Sequence, residues 1–392
     1  MNILVINSGS SSLKLQLIKT GKDFTQLGKF HADGIGLKAC KVTFKSAKKD
    51  LGLKMNIKNH KEALNFALKN LIESKTIASY KEIDAIGHRV VHGGEKYSSA
   101  TKIDAKVVKE ISSLSKLAPL HNPANLEGIL ACKEILKRKP QVTVFDTAFH
   151  QTIPEKAYLY GLPYEFYKKH NIRKYGFHGT SHKYVTNETI NRLKRKSPRI
   201  VTCHIGNGSS ITASLNGKSI DTSMGFTPLE GIIMGTRSGS FDPAIFFHLQ
   251  DNLKISPKKI YEIINNESGL KGLSEISSDM RTIYHESLKK NARAKLIIEI
   301  LSYQIAKYIG SYAASLNGLD AITFTAGLGE KAFYIRQTAC DYLEHLGVIL
   351  DKKKNEKCEE LISTPKSKIK VFVIPTNEGK QIAIETQKIL KK

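Results

Sequence analysis

Two stretches far apart in the chain repeat one local pattern. In the first, an apolar run, Ile3-Leu4-Val5-Ile6, enters the turn Asn7-Ser8-Gly9-Ser10-Ser11-Ser12. It leaves as Leu13-Lys14-Leu15-Gln16-Leu17, alternating as a half-buried strand does. In the second, Arg199-Ile200-Val201-Thr202-Cys203 enters His204-Ile205-Gly206-Asn207-Gly208-Ser209-Ser210 and leaves as Ile211-Thr212-Ala213-Ser214-Leu215. Asn216-Gly217 follows, the strongest short hairpin signal there is. Each half thus opens with a strand, a Gly/Ser turn and an antiparallel strand. Glycine lets successive backbone N–H groups point into one concavity, and small hydroxyls add donors there. Two such cradles at matching positions predict a duplicated nucleotide-binding architecture. Neither GxxxxGK[ST] nor a GxGxxG opening a helix occurs, which excludes the Walker loop and the dinucleotide fingerprint.

Strands and helices alternate around these turns. Lys61 to Glu73 reads as a helix and Ile83-Asp84-Ala85-Ile86 as a strand; Val142-Thr143-Val144-Phe145 reads as a buried strand ending in Asp146. Ala294 to Leu316 has helical spacing and stops at Asn317-Gly318, before the strand Ala321-Ile322-Thr323-Phe324, which ends in Thr325-Ala326-Gly327-Leu328-Gly329-Glu330. A strand from Val371 to Ile374, the breaker Pro375 and a helix starting near Asn377 complete the chain. The alternation predicts an α/β protein, and 392 residues predict two domains.

Composition narrows the class. Hydrophobic content of 41% and charged content of 25% are those of a soluble globular protein. No apolar run reaches the roughly 18 residues of a membrane span, and Met1 to Ile6 reads as a strand, not a signal peptide. The scattered cysteines (Cys40, Cys132, Cys203, Cys340, Cys358) form no CxxC pair, and cytoplasm is the expected compartment. The net charge of +25 raises nucleic-acid binding, but the lysines are spread and lack aromatic interleaving. A solvated basic surface attractive to small anions is the preferred reading. Arginine, by contrast, is scarce. Arg89 and Arg237 sit in the uncharged, glycine-containing settings Gly87-His88-Arg89-Val90-Val91-His92-Gly93-Gly94 and Gly235-Thr236-Arg237-Ser238-Gly239. Planar recognition of carboxylate or phosphate favours Arg over Lys; the alternative is a structural pair with a distant Asp.

The first hairpin and His204 through Gly217 resemble two signatures of the acetate kinase family. Phe145 through Thr152, Tyr175-Gly176-Phe177-His178-Gly179-Thr180-Ser181-His182, and Pro228-Leu229-Glu230-Gly231 through Arg237 are similar to further family segments in the same order. The resemblance implies two duplicated ribonuclease H-like (actin-like ATPase) domains with a nucleotide cleft between them. They would comprise residues 1–148 plus 379–392 and residues 149–378, usually in a homodimer. It implies transfer of the ATP γ-phosphoryl group to acetate, giving acetyl phosphate and ADP, with Mg²⁺ or Mn²⁺ and without nucleic-acid or membrane partners. By the same resemblance Arg89, Asp146, His178 and Arg237 are catalytic. Arg89, Val91, Leu120, Phe177 and Pro228 bind acetate, with His121 beside them. Lys14 and the turn His204, Ile205, Gly206, Asn207 and Gly208 bind ATP phosphates. Asp279, Met280 and Arg281 hold adenosine with Gly327, Leu328, Gly329, Glu330 and Lys331, and Asn7 and Glu378 lie at the metal. The family usually has Asn at Lys331, Phe at Met280, and an Asp-aliphatic pair at Ser240-Phe241.

Acetate is already ionised at neutral pH, so this chemistry needs cations more than a base. Asp146 therefore has two readings, a proton acceptor or a group that orients an arginine. Glu378 has a plain structural role as well, because an acidic residue after the N-cap Asn377 favours a helix start. On spacing alone Val91, Leu120, Phe177 and Pro228 would be core. Three rivals remain: a propionate or other short-chain carboxylate kinase, an actin-like ATPase without a small acceptor, and a basic nucleic-acid-binding protein.

Overall fold

The computed structural model describes residues 1–391 apart from Lys22 and Leu120. Its contacts divide the chain into two units, Met1–Phe149 with Asn377–Lys392, and His150–Thr376. The first unit is built on β1 (Asn2–Gly9), β2 (Ser12–Lys19), β3 (Thr25–Asp33), β4 (Cys40–Ser46), β5 (Asp50–Met55), β6 (Ala85–Val90), β7 (Thr101–Lys102) and β8 (Gln141–Phe145). They form one sheet in the order β5-β4-β3-β2-β1-β6-β8-β7. β1 to β3 are antiparallel, while β6 and then β8 add parallel to the other edge of β1.

The second unit repeats that plan. Its strands are β9 (Arg199–Ile205), β10 (Ser209–Leu215), β11 (Lys218–Thr222), β12 (Ala321–Thr325) and β13 (Lys370–Val373), in the order β11-β10-β9-β12-β13. β9 to β11 are antiparallel, and β12 and β13 add in parallel. Thus β3-β2-β1-β6-β8 and β11-β10-β9-β12-β13 are the same motif twice, the duplicated α/β architecture expected. Asn216 (φ 49°) and Gly217 (φ 76°) take the left-handed pair that a two-residue hairpin demands.

Both sheets are covered on two faces, which is why Ile3–Ile6 of β1 and Ile200–Ile205 of β9 are buried without alternation. In β1, Leu4 and Ile6 pack with Ala63, Leu64 and Ala131 from the helices His60–Glu73 and Asn122–Ile135. Ile3 and Val5 face Ile382 and Ala383 of the last helix, Glu378–Leu390. In β9, Val201, Cys203 and Ile205 meet Ile297, Leu301 and Ile305 of Ala292–Ser315. On the other face Ile200 meets Val185 of Gly179–Leu193. Each such side chain contributes about 1.5–3 kcal/mol when fully buried.

Local chemistry sets the helix starts that carry site residues. Asn377 Oδ1 accepts the Lys380 N–H at 2.9 Å, so Glu378 is the first residue of its helix. That helix lies close to β6 because residue 87 is glycine; a Cβ there would be 2.5 Å from Thr386 Oγ1 and 2.7 Å from Ile382. The expected strand at Ile83–Ile86 begins later, at Ala85, because the 3₁₀ turn Tyr80–Glu82 holds the Ile83 N–H. Among the described residues no helix is long and apolar enough to cross a membrane.

Candidate active site

In the first unit the strand ends deliver a compact charged group. Arg89, near the end of β6, donates from Nε to Asp146 Oδ2 at 2.9 Å, and its Nη2 donates to the same oxygen. Its Nη1 reaches Asn7 Oδ1, on β1, at 3.4 Å, and Glu378 Oε2 lies 4.0 Å from Nε. Asp146, the residue after β8, exposes 2% of its side chain, against 21% for Arg89 and 28% for Glu378. Burial alone would lower the Arg89 pKa. The charges of Asp146 and Glu378 outweigh it and hold the guanidinium above its ordinary value. Burial pushes the Glu378 carboxyl up; Arg89 pulls it back, Asp146 adds to the rise, and Lys14 opposes it. Lys14 lies opposite Asn7 in the β1–β2 ladder, its side chain exposed.

Two asparagines absent from the sequence reading fix the segment after Arg89. Asn125 accepts the Val91 N–H at 2.9 Å and donates to Ser8 O at 2.6 Å, tying the end of β1 to the bend beyond β6. Asn122 pairs with both the N–H and C=O of His92. Val91 is therefore a buried side chain on a fixed backbone, past the end of its strand. His121 immediately precedes the helix bearing both asparagines. Leu120 lies outside the described residues.

In the second unit, β9 ends at Ile205 and the turn Gly206–Gly208 leads into β10. A Cβ on Gly208 would sit 3.3 Å from the His178 ring and 3.5 Å from Arg237 Nη1, so turn, imidazole and guanidinium converge. His178 precedes the helix Gly179–Leu193 in a left-handed conformation (φ 56°), which turns its ring against His204, centroids 4.3 Å apart. Its Nδ1 shares a hydrogen bond with Ser210 Oγ at 2.9 Å. Ser210 Oγ also bonds His182 Nε2 at 2.7 Å, whose Nδ1 bonds Thr202 Oγ1 at 2.7 Å. Burial, with His150 and His204 nearby, keeps His182 well below its ordinary pKa, hence neutral. This chain of side chains, unseen in the sequence reading, fixes the His178 ring from behind.

Arg237 is held differently from Arg89. Nη1 donates to Pro228 O at 2.9 Å and approaches Met234 Sδ at 3.4 Å. Among the described residues no carboxylate pairs with it, and burial pushes its pKa down. Phe177 is buried, and its carbonyl accepts from His150 Nε2 at 3.0 Å.

The same unit contains a cavity of about 680 Å³ lined by Gly206, Asn207, Asp279, Met280, Arg281, Gly327, Leu328 and Lys331. Gly329, Glu330, Ile205 and Gly208 support those segments without lining it. Asp279 caps the helix Met280–Leu288 through the Arg281 N–H at 2.9 Å and pairs with the Arg281 guanidinium at 2.6 Å. Sequence reasoning missed Tyr284 and Tyr334, whose rings stack in the wall at 3.7 Å. Tyr284, four residues after Met280 on one helix, was the available signal. It also missed Arg336, fully buried, which donates to Gly329 O at 2.9 Å, to the Asn355 side chain at 2.8 Å and to Cys358 Sγ at 3.3 Å. That arginine pins the segment Ala326–Lys331 from below.

The comparisons agree with one another. A family model described as the acetokinase family matches residues 2–384. An acetate kinase of Thermotoga maritima is 52% identical over 401 aligned residues, covering 100% of this chain and 99% of its own. A crystal structure of Porphyromonas gingivalis acetate kinase superposes with a TM-score of 0.94 at 42% identity, covering 99% of both chains. That of a propionate kinase from Francisella tularensis gives 0.94 at 44%, again covering 99% of both. The chain belongs to the acetokinase family.

Proposed function

We propose that this chain transfers the γ-phosphoryl group of ATP reversibly to acetate, giving acetyl phosphate and ADP. The observation that carries the reading is Arg237, a half-buried cation beside His178 and the Gly206–Gly208 turn with no carboxylate partner among the described residues. A site so arranged is complementary to an anion, not to a proton to be removed. Acetate, with a pKa of roughly 4–5 for its acid, needs no base. One of its oxygens attacks the γ-phosphorus in line, the bond to the β–γ bridging oxygen breaks, and ADP leaves with that electron pair.

Arg89 and Arg237 flank the carboxylate and the migrating group and stabilise charge on its equatorial oxygens; His178 donates a hydrogen bond to it. Asp146 orients Arg89, because its Oδ2 already accepts from two guanidinium nitrogens. Val91, Leu120, Phe177 and Pro228 are assigned to the methyl group by the resemblance of their segments to the family. Lys14 and His204–Gly208 take the ATP phosphates, and Asp279–Arg281 with the segment Gly327–Lys331 takes adenosine.

Asn7 and Glu378 would hold Mg²⁺, with Mn²⁺ as a substitute. The residues fit: their donors are oxygens, and Asp146 and Glu378 share the single guanidinium of Arg89, leaving negative charge for a cation. When bound, the ion offsets charge on the β- and γ-phosphate oxygens. The enzyme works as a cytoplasmic homodimer without nucleic-acid or membrane partners.

Incubation with ATP, Mg²⁺, acetate and hydroxylamine tests the reading; acetyl hydroxamate is expected, and its absence would remove acetate as acceptor. The similarity to the Francisella propionate kinase favours propionate as the second reading. The same assay with propionate ranks the two by kcat/KM.

A further inference from the structure

The first unit contains a second concavity, away from Arg89. It encloses about 380 Å³ and is lined by Lys102, Lys133, Arg138 and Lys139 together with Asp104 and Gln141. Several cations of this unit meet carboxylates, as Lys45 meets Asp50, Lys49 meets Glu73 and Lys96 meets Glu110. Here Lys102, Lys133 and Arg138 make no ion pair among the described residues, and Lys139 Nζ donates to Lys81 O at 2.9 Å. Asp104, the one carboxylate in the lining, is already used: its Oδ1 accepts the Val107 N–H at 2.8 Å and caps the helix Ala105–Ser113.

Two further features place donors at the same space. The helix start leaves the Ala105 and Lys106 amides without intrahelical partners, at the end of the helix dipole that favours an anion. Gln141 is 8% exposed, and its Oε1 pairs with His88 Nε2 at 2.7 Å. Burial pushes His88 to about 4, so the ring is neutral and donates to Oε1; Gln141 itself lines the cavity, and its amide nitrogen has no hydrogen-bond partner among the described residues. A lone basic patch on a chain of charge +25 would be unremarkable. Cations, helix amides and a nine-tenths buried amide donor around one volume are a binding arrangement.

We infer that this cavity binds a small phosphate monoester dianion, at a site separate from the transfer chemistry. Three cations free of ion pairs and several N–H donors match a tetrahedral dianion, and the volume admits a small metabolite but not a polymer. Gln141 opens β8 and Asp146 follows its end, so about 17 Å of extended strand separates the two sites.

Calorimetric titration of the full chain decides, run with Mg²⁺–ADP and acetate saturating so that the transfer site is filled. Glycerol 2-phosphate and inorganic phosphate should each bind one site per chain. The double variant Lys133→Gln/Arg138→Gln should weaken both at least tenfold, and Lys102→Gln several-fold, with melting temperatures unchanged because these side chains are exposed. Absence of saturable binding, or binding that the double variant leaves unchanged, overturns the site. Tricarballylate binding as tightly as the phosphate probes overturns the ligand class.

Discussion

Arg89 and Arg237 are the same side chain kept in opposite ways. Arg89 gives its donors to Asp146 and Asn7 and has Glu378 beside it, so its charge is answered inside its own unit. Among the described residues Arg237 is answered only by a carbonyl and a thioether. A buried ion paired at good geometry resists removal, because its partners are left charged and stranded. A partly buried ion without a counter-charge destabilises its unit until an anion arrives. The difference separates an arginine that is placed from one that waits.

Kinetics gives the largest effect. Arg89→Ala and Arg237→Ala are each expected to lower kcat about a thousandfold, as loss of a group that stabilises transition-state charge does. Steady-state rates of hydroxamate formation check both, and near-normal turnover in either removes it from the chemistry. Stability should then divide the pair. Arg89→Ala strands Asp146 and Glu378 and is expected to cost about 3 kcal/mol in denaturant unfolding, partly restored by adding Glu378→Gln. Arg237→Met removes an unpaired charge and should leave stability equal or higher. Equal losses in the two variants would break the comparison.

Acid probes the Arg89 side further. His88 and His92 flank Arg89, and burial pushes each to about 4. Their folded pKa lies below the unfolded value of about 6.5. The stability they carry is therefore full above about 6.5 and is lost as pH falls towards 4. At pH 5 the loss should be about 2 kcal/mol for each histidine, read from unfolding midpoints between pH 7 and 4.5. His92→Gln should flatten that slope. The smallest expected effect concerns acceptor size. Val91→Ala should shift the propionate-to-acetate ratio of kcat/KM by about tenfold, the value of one methylene in an apolar pocket. Because Asn125 fixes the Val91 backbone, the pocket should not collapse around the smaller side chain. An unchanged ratio would return Val91 to ordinary core.

What the sequence made legible was local. The two Gly/Ser hairpins announced themselves because turn residues and strand alternation lie within a dozen neighbours, and their repetition implied the duplicated sheets. The two arginines stood out because a lysine-rich chain placed them among glycines. The rest depends on contacts that chain order hides. Tyr284 and Tyr334 stack only because the helices Met280–Leu288 and Phe333–Asp341 are packed together. Asn122 and Asn125 look like ordinary helix residues until their helix lies across the end of β1. Ser210 becomes a support for His178 only when strand and helix meet.

The thiols offer a practical consequence. Cys40, Cys132, Cys203 and Cys340 are buried, and Cys358 alone is partly accessible, its sulfur 3.3 Å from the guanidinium that pins Gly329. A maleimide dye added to the folded protein should therefore react at one address. From there it would report changes in Ala326–Lys331 through a single covalent bond, without any engineered cysteine.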